Sequence, residues 1–404
     1  MCESCKINKE IKPTKEYRLA DFFDQWWDVY LQSPKEFVQP EQFKAVNAIR
    51  TCRTAALGVD IYACPSCGEV SEVYHSCKNR FCPTCSWRDT VQWASRMKKS
   101  MLDMAHRHVV FTLPHSLNPM IKQNQSQLMN GFMRVTADVF RDWMSAKYNM
   151  RVGVISVLHT FGEAKNFHPH IHMIVTWGGI DKSTGLLRGL TSDYVNYEFL
   201  QQKFRCKFED ELIRLFDEGI LEHNYPSRQA FMSFIKRINN KQWVVHLEPS
   251  MDIPTKVIRY IGRYSKRACL SEYKITKMEG EYIGFKHKDY KNLDYNNQPI
   301  EKIKELHYNE FFPLLLQHVP TPYFRIVRYY GIYATKAHIP QEYLYTGEEN
   351  EEESYEYNDP RECKTCLVTK EYQHTIVIRR KKEWYYKDSP MNPNLEFAYK
   401  RAIA

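Results

Sequence analysis

The stretch HTFGEAKNFHPHIHMIV, from His159 to Val175, carries four histidines, and His168, His170 and His172 stand at alternate positions. Residues two apart on a strand point to the same face, so these three imidazoles can converge. His159 lies near the end of the preceding apolar run RVGVISVLHTF, residues 151–161. A turn around residues 162–166 would fold that run back and set His159 beside His170 and His172. Three neutral nitrogen donors leave coordination positions open for water and substrate, the arrangement of a catalytic divalent-metal site rather than a structural one. His168 shares the phase, but Pro169 interrupts the strand there, so His159 ranks ahead of it as third ligand. The competing explanation is a set of satisfied core histidines.

A second set of reactive residues is the segment TKVIRYIGRYSKRA behind Pro254. Its apolar and aromatic positions have helical spacing, which places Tyr260 and Tyr264 one turn apart on one face. Arg259, Arg263, Lys266 and Arg267 supply positive charge around them. A phenol with a pKa of about 10 is a poor nucleophile until a base or an electrostatic partner lowers its proton affinity. A phosphodiester attacked by that phenolate also needs its non-bridging oxygens polarised by a cation. The two sets therefore complement each other, although among 27 tyrosines an i, i+4 pair also fits a plain core stripe.

The cysteines form a third set. Cys64 and Cys67 (CPSC) and Cys82 and Cys85 (CPTC) are two knuckles with near zinc-ribbon spacing, which predicts one structural Zn²⁺ on those four thiolates. Cys77 stands between the knuckles and is an alternative ligand. The outer pairs, Cys2/Cys5 and Cys363/Cys366, are each half a site, and either complete one another or are incidental.

These residues must be held by a scaffold. HVVFTL (108–113), 151–161 and 170–177 read as buried strands, and QWVVHLEP (242–249) as a shorter one. Helical periodicity covers 17–53, 125–149 and EDELIRLFDEGI, and WRDTVQWASRMKKSMLDMAH (87–106) reads as one basic amphipathic helix. Residues 347–360 form an acidic run suited to a solvated linker. With 404 residues, 43% hydrophobic and 14% aromatic, the chain can fill a real core. Its net charge of +9 favours an anionic partner such as nucleic acid, or simply a solubilising surface. No run of about 18 apolar residues occurs, and the N-terminus lacks the apolar stretch of a signal peptide. A cytoplasmic, nucleoid-associated bacterial protein is the expectation.

Six blocks occur in order: CRTAALG (52–58), CPSCG with YHSCKNRFCPTCS (64–86), HVVFTLPHSLNP (108–119), LHTFGEAKNFHPHIHMIVTWGG (158–179), YIGRYSKRACLS (260–271) and LQHVPTPYFRIVRYYGIYA (316–334). Together they resemble the two-tyrosine, His-hydrophobic-His (HUH) rolling-circle transposases of the insertion sequence 91 family, over roughly residues 40–336. The resemblance implies an α+β fold, with a small zinc-binding domain before a nuclease domain whose central antiparallel sheet is flanked by helices. The corresponding partition is 1–50 helical, 51–100 zinc-binding, 101–345 nuclease, and 346–404 acidic linker and tail with its CxxC. His170 and His172 match the HUH pair, His159 the frequent third ligand of Mg²⁺ or Mn²⁺, and Tyr260 and Tyr264 the two nucleophiles. One tyrosine would attack single-stranded DNA at an element end, leaving a 5′-phosphotyrosine and a free 3′-hydroxyl, and the other would join strands at the target.

A phosphotyrosine conserves the energy of the cleaved bond, consistent with the absence of a GxxxxGK[ST] segment. FRIVRYYGIYATK (324–336) and the helix after the knuckles offer basic and aromatic residues for single strands, or ordinary core aromatics. Three alternatives stay open: a plasmid replication initiator or relaxase, a non-catalytic zinc-ribbon DNA-binding regulator, and a hydrolase that activates water on the three histidines.

Overall fold

The computed structural model describes residues 16–35, 37–251, 268–337, 339–346 and 359–376. In chain order the elements begin with α1 (Leu19–Gln32), α2 (Pro40–Thr51), β1 (Val59–Ala63), β2 (Val70–Tyr74), α3 (Pro83–Lys98), β3 (His106–Thr112), α4 (Asn118–Gln123) and α5 (Gln125–Tyr148). They continue with β4 (Met150–Arg151), β5 (Gly153–Phe161), β6 (Phe167–Thr176), β7 (Gly178–Asp181), β8 (Leu187–Gly189), α6 (Tyr197–Asp217), α7 (Arg228–Asn239) and β9 (Val244–Leu247). Last come β10 (Ile275–Glu279), β11 (Tyr282–Leu293), β12 (Pro299–His307), α8 (Tyr308–Leu316), β13 (Val327–Gly331) and β14 (Glu371–Ile376). The result is the α+β class implied above. No helix among the described residues is long and apolar enough to cross a membrane.

The chain forms two compact units. One contains α1, α2, the sheet β14-β1-β2, the antiparallel sheet β10-β11-β12, and α8. Its aromatic spacing explains its packing: Phe22, Phe23, Trp27 and Tyr30 recur on one face of α1 and are all buried. Phe23 stacks on Phe312 of α8 with ring centroids 5.1 Å apart. Pro40 opens α2, where its fixed φ and missing N–H are tolerated, and Gln39 and Gln42 cap that end reciprocally.

The other unit is built on a five-stranded antiparallel sheet in the order β13-β5-β6-β3-β9. Alternation along β6 divides its side chains between two faces. Ile171, Met173 and Val175 enter a core with Phe132 and Phe140 of α5, Phe204 and Phe208 of α6, and Phe231 of α7. Ile174, on the opposite face, belongs to a second cluster with Ile155, Val157, Trp93 and Met97. Apolar residues thus coat both faces of the sheet for most of its length.

One sequence expectation is corrected here, and of the two readings left open for 324–336 the packing of its aromatics favours ordinary core residues. The basic helix predicted over 87–106 stops at Lys98, because a turn closed by Ser100 N–H to Met97 O ends it and Leu102 makes an isolated bridge to Leu344. The segment 324–336 contains a strand, β13, paired along β5, and its aromatics serve packing. The Tyr329 hydroxyl accepts a hydrogen bond from Trp93 Nε1 at 2.8 Å, and the buried Tyr333 hydroxyl lies 2.6 Å from His106 Nε2. Burial raises the Tyr333 phenol well above its usual range.

Candidate metal centre and cysteine knuckles

Strand register builds the histidine cluster. His159 of β5 stands opposite His170 of β6, and Val157 opposite His172, so the rings of His159, His170 and His172 share one face. Ring centroids lie 5.4 Å apart for His159–His170, 4.8 Å for His159–His172 and 4.9 Å for His170–His172. One nitrogen from each lies within 4.8 Å of the other two. His159 and His172 are buried, and His170 is partly exposed.

Electrostatics and hydrogen bonding suit these rings to ligation. Burial, reinforced by His159, pushes the His170 imidazole down to about 3. Burial and the neighbouring His159, His170 and His108 hold His172 well below its ordinary value. Both are therefore neutral at physiological pH, with a lone pair to offer. His170 Nδ1 lies 2.7 Å from the His168 carbonyl; a carbonyl only accepts, so Nδ1 carries the hydrogen and Nε2 is the donor atom. His172 Nδ1 lies 2.9 Å from His108 Nε2. Three converging imidazoles, with His170 and His172 held neutral by burial, fit a divalent cation.

His168 does not join the cluster. Its ring stacks on His115 at 4.9 Å, and its carbonyl, not its imidazole, serves the site. His108 escaped the sequence reading, although its phase on HVVFTL was the available signal: it pairs opposite Ile174, two residues along from His172. Tyr260, Tyr264, Arg259, Arg263, Lys266 and Arg267 lie outside the described residues.

The cysteines depart from the expected single site. Cys64, Cys67, Cys82 and Cys85 do not converge; the structure places Cys82 and Cys85 with Cys52 and Cys77, and Cys64 and Cys67 with Cys363 and Cys366. Within each group the sulfurs lie within 4.8 Å of one another. The reason is the β1–β2 hairpin, which puts Cys64 and Cys67 at its turn while its open end, where Val59 pairs with Tyr74, adjoins the segments bearing Cys52 and Cys77. Cys2 and Cys5 lie outside the described residues. Four thiolates at such separations suit tetrahedral Zn²⁺.

Residues 22–113 match the family described as "Transposase zinc-binding domain", and residues 153–340 match the family described as "Putative transposase". Fold, histidine face and cysteine groups thus belong to a transposase with an N-terminal zinc-binding domain. A "Putative transposase y4qJ" of Sinorhizobium fredii is 30% identical over 321 residues, which cover 78% of this chain and 79% of that protein. The "Transposase for insertion sequence element IS801" of Pseudomonas savastanoi pv. phaseolicola is 27% identical over 315 residues, 75% of this chain and 73% of that one. The chain belongs to the insertion sequence 91 family of transposases. No solved structure matches it.

Proposed function

We propose that this transposase nicks and rejoins single-stranded DNA at the ends of its element through a 5′-phosphotyrosine link, in rolling-circle transposition. The observation that carries this is the convergence of His159, His170 and His172 on one face of the central sheet. Bound there, Mg²⁺ or Mn²⁺ would polarise the non-bridging oxygens of a phosphodiester. Burial keeps His170 and His172 unprotonated, and the His168 carbonyl orients the His170 ring. Tyr260 or Tyr264 supplies the nucleophile: its phenolate oxygen bonds to phosphorus as the bond to the 3′ oxygen breaks, and that oxygen takes up a proton. The other tyrosine repeats the attack at the target. Arg259, Arg263, Lys266 and Arg267 offset phosphate charge. Cys52, Cys77, Cys82 and Cys85 hold structural Zn²⁺.

The test is a denaturation-resistant adduct between the purified protein and a labelled single-stranded oligonucleotide from an element end, in Mg²⁺ or Mn²⁺. The adduct should vanish in Tyr260→Phe/Tyr264→Phe and in His170→Ala. Cleavage without attachment would instead identify a hydrolase, and binding without cleavage a regulator.

A further inference from the structure

Two short turns far apart in the sequence are built alike. In the first, the Cys64 N–H donates to Glu69 O at 2.9 Å, the Gly68 N–H donates to Cys64 O at 2.9 Å, and Gly68 has φ +75°. In the second, the Cys363 N–H donates to Val368 O at 2.9 Å, the Leu367 N–H donates to Cys363 O at 2.8 Å, and Leu367 has φ +55°. Each is a Cys-x-x-Cys followed by one left-handed residue, a turn that brings both sulfurs to one side. Glycine fills that position at no steric penalty, whereas leucine seldom adopts it. Leu367 is 86% exposed, so its own packing does not impose the conformation; the turn does. The Cys366 N–H also points at Cys363 Sγ, 3.4 Å away, a bond that favours the thiolate.

Strand pairing brings the turns together. Ala63, the residue before Cys64, pairs with Glu371 at the start of β14. The buried Lys370 ammonium reaches Glu69 Oε1 at 2.9 Å and also bonds Ser71. The four sulfurs of Cys64, Cys67, Cys363 and Cys366 consequently lie within 4.8 Å of one another. Sulfurs about 2.3 Å from a tetrahedral zinc stand about 3.8 Å apart, so a small contraction completes the site. Both family matches end before Cys363.

We infer that Cys64, Cys67, Cys363 and Cys366 form a second structural zinc site, a clasp that fastens the C-terminal strand β14 to β1. It uses one knuckle from within the zinc-binding family match and one from beyond it. Zinc replaces the thiol protons, which pass to solvent, and no redox step is involved.

The experiment is metal analysis of the full-length protein by mass spectrometry, with cobalt substitution. Cys363→Ser/Cys366→Ser should lose one zinc equivalent relative to the wild type, and Cys77→Ser should lose one from the other group. The thiolate-to-cobalt charge-transfer band, which is blind to the histidine site, should show two four-sulfur sites in the wild type and half that intensity in the double variant. An unchanged zinc content in the double variant would overturn the clasp. So would a wild-type cobalt band of one site only, a result independent of whether any variant folds. No DNA enters these measurements, so their outcome is separate from that of the cleavage test.

Discussion

His108 Nε2 lies 2.9 Å from His172 Nδ1, with the two rings within 9° of parallel. This bond occupies one nitrogen of His172 and leaves Nε2 as its donor atom toward the cluster. Partners that orient a ligand in this way are typically worth about 10–100-fold in metal affinity. His108→Ala should weaken Mn²⁺ binding by that order in a calorimetric titration, and His108→Gln should recover part of it. Wild-type affinity in His108→Ala would show that the ring orients itself unaided.

Ile171 sits between His170 and His172 but faces the opposite way, fully buried among the helices. Ile171→Ala should cost about 2–5 kcal/mol through lost transfer energy and the cavity left behind. Urea unfolding would measure it. Because neighbouring strand positions face opposite sides, metal binding to the folded variant should persist, and its loss would show that core packing sets the ligand geometry.

Burial holds the imidazoles of His106 at about 4 and His318 at about 3. Each is fixed by its neighbours: His106 Nδ1 lies 2.8 Å from Met104 O, and His318 Nε2 lies 2.9 Å from Lys165 O. Above the ordinary histidine pKa near 6.5 neither folded nor unfolded chain is protonated there, and these groups contribute no pH dependence. As pH falls from about 6.5 toward 4, the unfolded chain binds protons that the folded one refuses. Each histidine then removes about 1.4 kcal/mol of stability per pH unit. Thermal melts should fall steadily over that window, and His318→Gln should flatten the slope. A melting temperature constant from pH 7 to 5 would refute the assignment.

Cys52, Cys82 and Cys85 are buried and Cys77 is partly so, so a chelator should reach a metal there only slowly. Prolonged chelation should lower the melting temperature and release zinc together, because metal binding and local folding are one equilibrium. Metal release with an unchanged melt would mean that the group is not structural.

Much of the site was legible in the sequence because strand periodicity is a local property. Alternation put His170 and His172 on one face, and the apolar run before them supplied a partner strand for His159. The helix over 125–149 was equally clear from its apolar repeat. Other features were not local. The aromatics of 324–336 looked suited to stacking on bases, yet β13 pairs along β5 and commits Tyr333 to the interior. Composition is the same in either role, and only pairing distinguishes them.

The sequence by itself determined the chemistry available: imidazoles at alternate positions, tyrosines four residues apart, and cysteines in pairs. Tertiary structure alone decided which pairs meet. Two CxxC knuckles close in sequence read as one site, because spacing records only separation along the chain. The β1–β2 hairpin instead sends Cys64 and Cys67 away from Cys82 and Cys85, and β14 carries Cys363 and Cys366 back to them. Long-range strand pairing leaves no periodic trace in the chain, so the partner of each knuckle is fixed only when the sheet forms.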